Sequence, residues 1–216
     1  MTDFAGRELI CVRGGRTVFE GLAFRVEGGG ALVLGGPNGS GKSSLLRLMA
    51  GLARPSAGVM LWNGANVAED PAGHRARVHY VGHSDATKPA LTVAENLGFW
   101  AAMTGGADGA EPRAIAALDA FGIRALADVP GRYLSAGQRR RLGLARLVCA
   151  SAPLWLLDEP KTALDSDAAR RLDALVAHHR AAGGMVVMSM HGGRPPEGAA
   201  QLDLAHFQGR AEAAPC

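Results

Sequence analysis

Lysine, aromatic residues, cysteine and long apolar runs are all scarce in this chain. Of 23 basic residues, three are lysines: Lys42, Lys88 and Lys161. Aromatic residues fill 5% of the 216 positions, and the formal net charge is +3. The basic run Arg139-Arg140-Arg141 with Arg146 has no interleaved aromatics, so it reads as a solvated helix face and nucleic acid is not an expected partner. Cys11, Cys149 and Cys216 are odd in number and far apart, with no CxxC spacing. That argues against a disulfide frame or a zinc site and suggests a reducing compartment. No stretch approaches the ~18–20 apolar residues needed to cross a bilayer. Residues Met1 to Glu8 lack a basic start followed by an apolar segment, so no secretory signal is visible. Any membrane-crossing task would need a partner.

The chain is 48% hydrophobic and 20% charged, ordinary values for a soluble globular protein with one packed core. Its 30 glycines are scattered through turns, and no internal repeat is visible. Leu9–Val12, Thr17–Phe19 and Leu22–Val26 read as short strands broken by glycines. Ala31–Leu34 is a continuous apolar run, the pattern of a buried parallel strand. Leu45, Leu48, Met49 and Leu52 recur at helical spacing and stop near Gly51. Val59–Trp62 and Val78–Val81 are further strand candidates. From Thr92 to Cys149 the pattern turns helical, with segments at Val93–Trp100, Arg113–Phe121 and Ser135–Cys149. Strands return at Leu154–Leu157 and Met185–Met190, flanking a helix over Asp167–Ala181. The reading is an α/β core with a helical insertion. The tail from Arg194 is too short for another domain.

Gly36-Pro37-Asn38-Gly39-Ser40-Gly41-Lys42-Ser43 follows a predicted strand and opens a predicted helix, the context that makes a phosphate-binding loop credible. Glycines let successive backbone N–H groups turn inward around an anion, and the helix N-terminus adds a favourable dipole. Lys42 is expected to reach the β- and γ-phosphates of ATP, and the Ser43 hydroxyl to bind Mg²⁺, with Ser44 beside it. Leu154–Leu157 ends in Asp158-Glu159, at the strand tip where open α/β sheets hold ligands. Asp158 would hold Mg²⁺ and Glu159 would orient the attacking water. The plainer reading is a carboxylate pair capping the turn at Pro160. His191 follows another strand to the same edge, where it can bond the γ-phosphate and contact Glu159. Ser135 and Gln138 form an S-x-x-Q capping box at a helix start.

Leu134-Ser135-Ala136-Gly137-Gln138 also resembles the LSGGQ signature of ABC ATPases, with Ala136 replacing the first glycine. Glycine loop, Tyr80-Val81-Gly82-His83, signature, Asp158-Glu159 strand and His191 stand in that family's order, so the resemblance covers nearly the whole chain. It implies an ABC-type P-loop ATPase with an N-terminal antiparallel β subdomain (1–30), a nucleotide-binding core (31–90 and 150–210) and an inserted helical subdomain (91–149). It further implies Glu159, His191 and Lys42 as catalytic residues. One loop and one signature per chain imply a head-to-tail dimer, in which Ser135, Ala136, Gly137 and Gln138 address the partner copy's ATP. Ala163-Leu164-Asp165 resembles the D-loop that crosses such a dimer.

Two positions depart from the family. Arg13 stands where an aromatic ring usually meets adenine, with Phe19 the nearest aromatic; a guanidinium plane can stack there for about 0.5–2 kcal/mol. His83 replaces the glutamine that touches Mg²⁺ or its water, so its protonation would matter.

The short length, the Val81-Gly82-His83 loop and the run Leu134 to Arg141 resemble the ATP-binding subunit of the cytochrome c maturation system, often called the haem exporter ATPase. So does Leu154-Trp155-Leu156-Leu157-Asp158-Glu159-Pro160. This implies a peripheral protein on the cytoplasmic face of the inner membrane, bound to integral permease subunits. The helical insertion and the loop Ser84–Leu91 would form the groove that receives them. ATP hydrolysis would support haem export or release of a haem-loaded chaperone. Haem itself is not expected to bind here: His178-His179 reads as a solvated helix pair, and His74 and His79 are no more suggestive. Two alternatives remain open, an ABC ATPase serving another cargo and a soluble ABC ATPase acting on DNA or the ribosome. A P-loop kinase has no use for the signature.

Overall fold

The computed structural model describes residues 2–208, so Cys216 and the end of the 150–210 segment lie outside the described residues. Two sheets organise the chain. The first begins with a hairpin, β1 (Asp3–Arg13) and β2 (Arg16–Glu27), closed at Gly14-Gly15, where both residues have positive φ. A two-residue turn of that type matches the twist of the strands it joins. The strand readings at Thr17–Phe19 and Leu22–Val26 are one element: Gly21 adopts φ 66° within β2 and the strand runs through it.

The second sheet is parallel, with β6 (Val78–Val81), β7 (Leu154–Leu157), β8 (Met185–Ser189), β3 (Ala31–Gly35) and β9 (Ala200–Asp203) side by side in that order. Side chains alternate between its faces, as the two-residue repeat of a strand requires. Leu32, Leu34, Leu154, Leu156, Met185 and Val187 join the cluster shared with the antiparallel sheet and α1 (Lys42–Met49). Ala31, Val33, Trp155, Leu157, Val186 and Met188 join the other cluster, with α3 (Val93–Gly105), α4 (Ala110–Ala120), α5 (Ala136–Cys149) and α6 (Ser166–Ala181). Burial on both faces explains why these strands read as unbroken apolar runs.

The antiparallel layer is not confined to residues 1–30. β4 (Ala57–Trp62) pairs with β1, and β5 (Ala65–Asn66) pairs with β4 through the Asn63-Gly64 turn. The tail contributes β9 to the parallel sheet beside β3, a strand of four residues that is too short for its alternation to stand out in the sequence. A short helix, α2 (Pro71–Ala76), also escaped the periodicity; its cap is the Asp70 side chain, which accepts from Gly73 N.

Candidate active site at the strand ends

Because β3, β6, β7 and β8 are parallel, their carboxyl ends share one edge, and each emits one of the segments singled out in the sequence. After β3 comes the glycine loop. Gly36, Gly39 and Gly41 have φ of 116°, 81° and 101°, and a Cβ on Gly41 would stand 2.6 Å from Val18 Cγ1. Glycine is required there on both counts. Gly41 is the N-cap of α1, with no side chain capping it. The N–H groups of Lys42, Ser43 and Ser44 precede the first intrahelical bond, Leu45 N to Gly41 O at 2.8 Å, and are left for a ligand.

Lys42 is 6% exposed, and its ammonium donates to the carbonyls of Gly36 at 2.7 Å and Pro37 at 3.0 Å. No carboxylate pairs with it among the described residues, so an arriving phosphate competes only with carbonyl oxygens. Ser40 Oγ is buried in the same loop with no hydrogen-bond partner among the described residues.

Asp158 is 3% exposed, and its Oδ1 accepts from Ser189 Oγ at 2.7 Å. That same Ser189 oxygen accepts the Glu159 N–H at 2.8 Å. Glu159 has φ 45°, a conformation that a non-glycine residue keeps only when its surroundings enforce it. His191 lies 4.0 Å from Glu159 Oε1, and its Nε2 hydrogen-bonds Asn38 Oδ1 of the loop. Ser43, His83 and Asp158 line one cavity of about 600 Å³. A hydroxyl and a carboxylate are hard oxygen donors that suit Mg²⁺, an ion bound through few protein ligands together with phosphates and water.

At the signature, Ser135 Oγ accepts from Gln138 N at 3.2 Å and Gln138 Oε1 accepts from Ser135 N at 2.8 Å, closing the capping box. A Cβ on Gly137 would lie 3.0 Å from Ala163 O, so the signature abuts the segment that resembles the D-loop. Arg141 pairs with Asp165 in that segment. Arg13 stays exposed near the tip of the β1–β2 hairpin, while Val18 and Phe19 of β2 pack against Gly41 of the loop. Phe19 is fully buried and offers no face to a base.

Two readings need correction. The arginine run is not a solvated face: Arg140 is 4% exposed and turned into the core, and Arg146 is desolvated over the Trp100 ring at 4.4 Å. Its signal lay in spacing, since Arg140, Leu144 and Leu147 fall on one helical stripe. Nor is His179 solvated. It stacks on Trp155 at 3.9 Å between ring centroids, and burial lowers its pKa. His79 is held down to about 4 by burial, then by Arg146 and His179; His74 bonds Met49 O at 2.7 Å and stacks on Phe4. Ser189 was also missed, although it is a hydroxyl within an otherwise apolar strand.

Comparison with known proteins identifies the family. The ABC transporter family model matches residues 19–162. A protein named cytochrome c biogenesis ATP-binding export protein CcmA from Paramagnetospirillum magneticum is 57% identical over 95% of both chains. The protein of the same name from Rhodospirillum rubrum is 57% identical over 94% of this chain and 86% of its own. A solved ATP-binding subunit of an ABC transporter superposes with TM-score 0.78 at 26% identity, covering 87% of this chain and 79% of that one. An ABC transporter ATP-binding protein from Pyrococcus furiosus shares the fold, with TM-score 0.80 at 20% identity over 96% and 100% of the two chains. The chain therefore belongs to the ABC transporter ATP-binding family, within its CcmA branch of cytochrome c biogenesis ATP-binding export proteins.

Proposed function

We propose that the chain is the ATP-hydrolysing subunit of an inner-membrane ABC complex in c-type cytochrome biogenesis, coupling hydrolysis to haem export or to release of a haem-loaded chaperone. One observation carries this: Lys42, Ser43, Asp158, Glu159 and His191 meet at one sheet edge in a chain 57% identical to proteins bearing the CcmA name.

The triphosphate draws the Lys42 ammonium away from the Gly36 and Pro37 carbonyls and accepts from the open N–H groups at the start of α1. Gly36 to Ser44 wrap the phosphates. Ser43 and Asp158 would hold Mg²⁺, with His83 beside them; such an ion would supply charge neutralisation at the phosphates. Glu159 orients the attacking water, and His191 leaves Asn38 to bond the γ-phosphate. Arg13 lies against the base. Ser135, Ala136, Gly137 and Gln138 of a second copy close each site, because two complete sites require two chains head to tail.

No helix among the described residues is long and apolar enough to cross a membrane. Membrane attachment thus falls to permease subunits. The cleft of about 600 Å³ beside His83 is the groove that receives their cytoplasmic segment, with Leu52 61% and Met103 57% exposed on its wall. The protein then sits peripherally on the cytoplasmic face.

Deleting the coding sequence and staining membrane proteins for covalent haem tests the assignment. Holocytochrome c is expected to disappear and to return with the wild-type chain. Normal covalent haem in the deletion strain removes the cytochrome role and leaves the ATPase. A purified chain that neither binds nor cleaves ATP, alone or with its membrane subunits, removes both.

A further inference from the structure

One buried cation ties together segments that the proposed mechanism treats separately. Arg140 lies on α5, two residues beyond Gln138 of the signature, yet its guanidinium sits beneath the catalytic edge. Its Nη2 donates to Asp158 O at 2.7 Å and to Glu159 O at 2.8 Å. Its Nη1 donates to Gly82 O at 2.8 Å and Asp85 Oδ1 at 3.3 Å, and its Nε donates to Pro160 O at 3.3 Å. A guanidinium has five N–H donors in a fixed planar fork, and each one here has an acceptor. Such full pairing is what lets a charge tolerate burial.

The acceptors explain the purpose. Glu159 adopts its left-handed conformation with both peptide groups pinned, the N–H by Ser189 and the C=O by Arg140. The Gly82 carbonyl immediately precedes His83, and Asp85 belongs to the segment beside the groove. The same side chain therefore fixes the catalytic turn, the His83 turn and the helix that presents the signature. A shift of the Gly82–Asp85 turn has a direct route to Glu159 and to α5.

We propose that Arg140 is a positioning residue that locks the Asp158–Glu159 tip to the signature helix, so that each chain's own hydrolytic site and the site it closes on its partner depend on one guanidinium. This rests on the ATPase and head-to-tail readings above. Since a misplacement of about 1 Å can cost roughly 10²-fold in rate, Arg140→Gln is expected to lower kcat about 10–100-fold. Affinity for Mg-ATP should stay within about threefold, because Lys42 and the glycine loop are untouched. Arg140→Lys keeps the charge but not the fork; it is expected to fold and to remain slow. Should Arg140→Gln fail to fold, Arg140→Lys carries the test.

Mixed dimers separate the two halves of the idea. With one loop disabled by Lys42→Ala, a single site remains, built from the working chain's loop and the other chain's signature. Arg140→Gln should slow that site whichever chain carries it. Slowing from the working chain alone overturns the coupling. Overturning the proposal altogether would take unchanged kcat in a folded variant, full activity in Arg140→Lys, or loss of ATP affinity in step with kcat. Failure of the underlying reading looks different: the unsubstituted chain itself neither binds ATP nor, as Glu159→Gln, forms an ATP-dependent dimer.

Discussion

Two helices in this molecule begin at proposed phosphate sites, and they begin in opposite ways. α1 starts on Gly41 in the left-handed region, with no side chain satisfying its first amides. α5 starts on Ser135, whose hydroxyl takes the Gln138 N–H while Gln138 returns the favour. An open start is a standing demand for an anion; a capped start is stable by itself and has fewer amides to offer. The difference assigns the work. On the proposed reading α1 grips the triphosphate within one chain, whereas α5, already capped without ligand, adds a closing contact when a second copy arrives. Binding and closure are thus separable events, and substitutions at the two helix starts should separate them.

The largest effect belongs to the open start. Lys42→Ala removes the one ammonium in the loop and leaves the Gly36 and Pro37 carbonyls without their donor. Losing a preorganised electrostatic group of this kind costs about 10²–10³ in rate. Mg-ATP binding measured by calorimetry should fall by a comparable factor, with the thermal midpoint in the absence of nucleotide little changed. Retained affinity would show that the loop does not hold the phosphates and would dissolve the contrast with α5.

That contrast was half legible before any coordinates. The glycine loop, the capping box and the Asp158-Glu159 tip are local patterns, written in contiguous residues whose backbone requirements are nearly unique. The parallel strands showed themselves because burial on both faces leaves continuous apolar runs. Features depending on residues far apart in the chain stayed hidden. Arg140 looked like one charge in a basic run, because its acceptors lie 18 to 58 positions away. His179 looked solvated because the ring it stacks on, Trp155, belongs to β7. β9 was missed because its alternation of Ala200 and Leu202 with Gln201 and Asp203 spans only four residues, too few to mark a strand before pairing with β3 defines it. Ser189 was visible as an odd hydroxyl in a strand, but its use required knowing that β7 lies next door.

A middle-sized effect tests the capped start. Ser135→Ala removes both the cap and the hydroxyl; loss of a serine cap typically costs ~1 kcal/mol, about 2–4 °C in a chain of this size. Ser135→Gly removes the hydroxyl but costs only a few tenths of a kcal/mol, since glycine is tolerated at that position. If Ser135 merely caps α5, ATPase activity should follow the thermal midpoint, and the glycine variant should be close to normal. If its hydroxyl meets the partner copy's triphosphate, both variants should lose turnover alike, by roughly tenfold for one charge-assisted bond, while ATP affinity of the single chain stays put. The second pattern is expected.

The smallest effect is at the far end of the nucleotide, where neither helix start reaches. Arg13 is exposed on its hairpin and Phe19 is buried, so the proposed site offers the base a stacked guanidinium. At an exposed site such stacking is worth about 0.5–1 kcal/mol, which makes Arg13→Ala roughly a two- to fivefold loss in ATP affinity. Tripolyphosphate has the phosphates but no base, and its affinity should not change. Equal losses for both ligands would place Arg13 on the phosphates and extend the grip of the open helix start to the hairpin. A loss confined to ATP keeps base and phosphate recognition on different elements, with the phosphate end supplying nearly all of the hold.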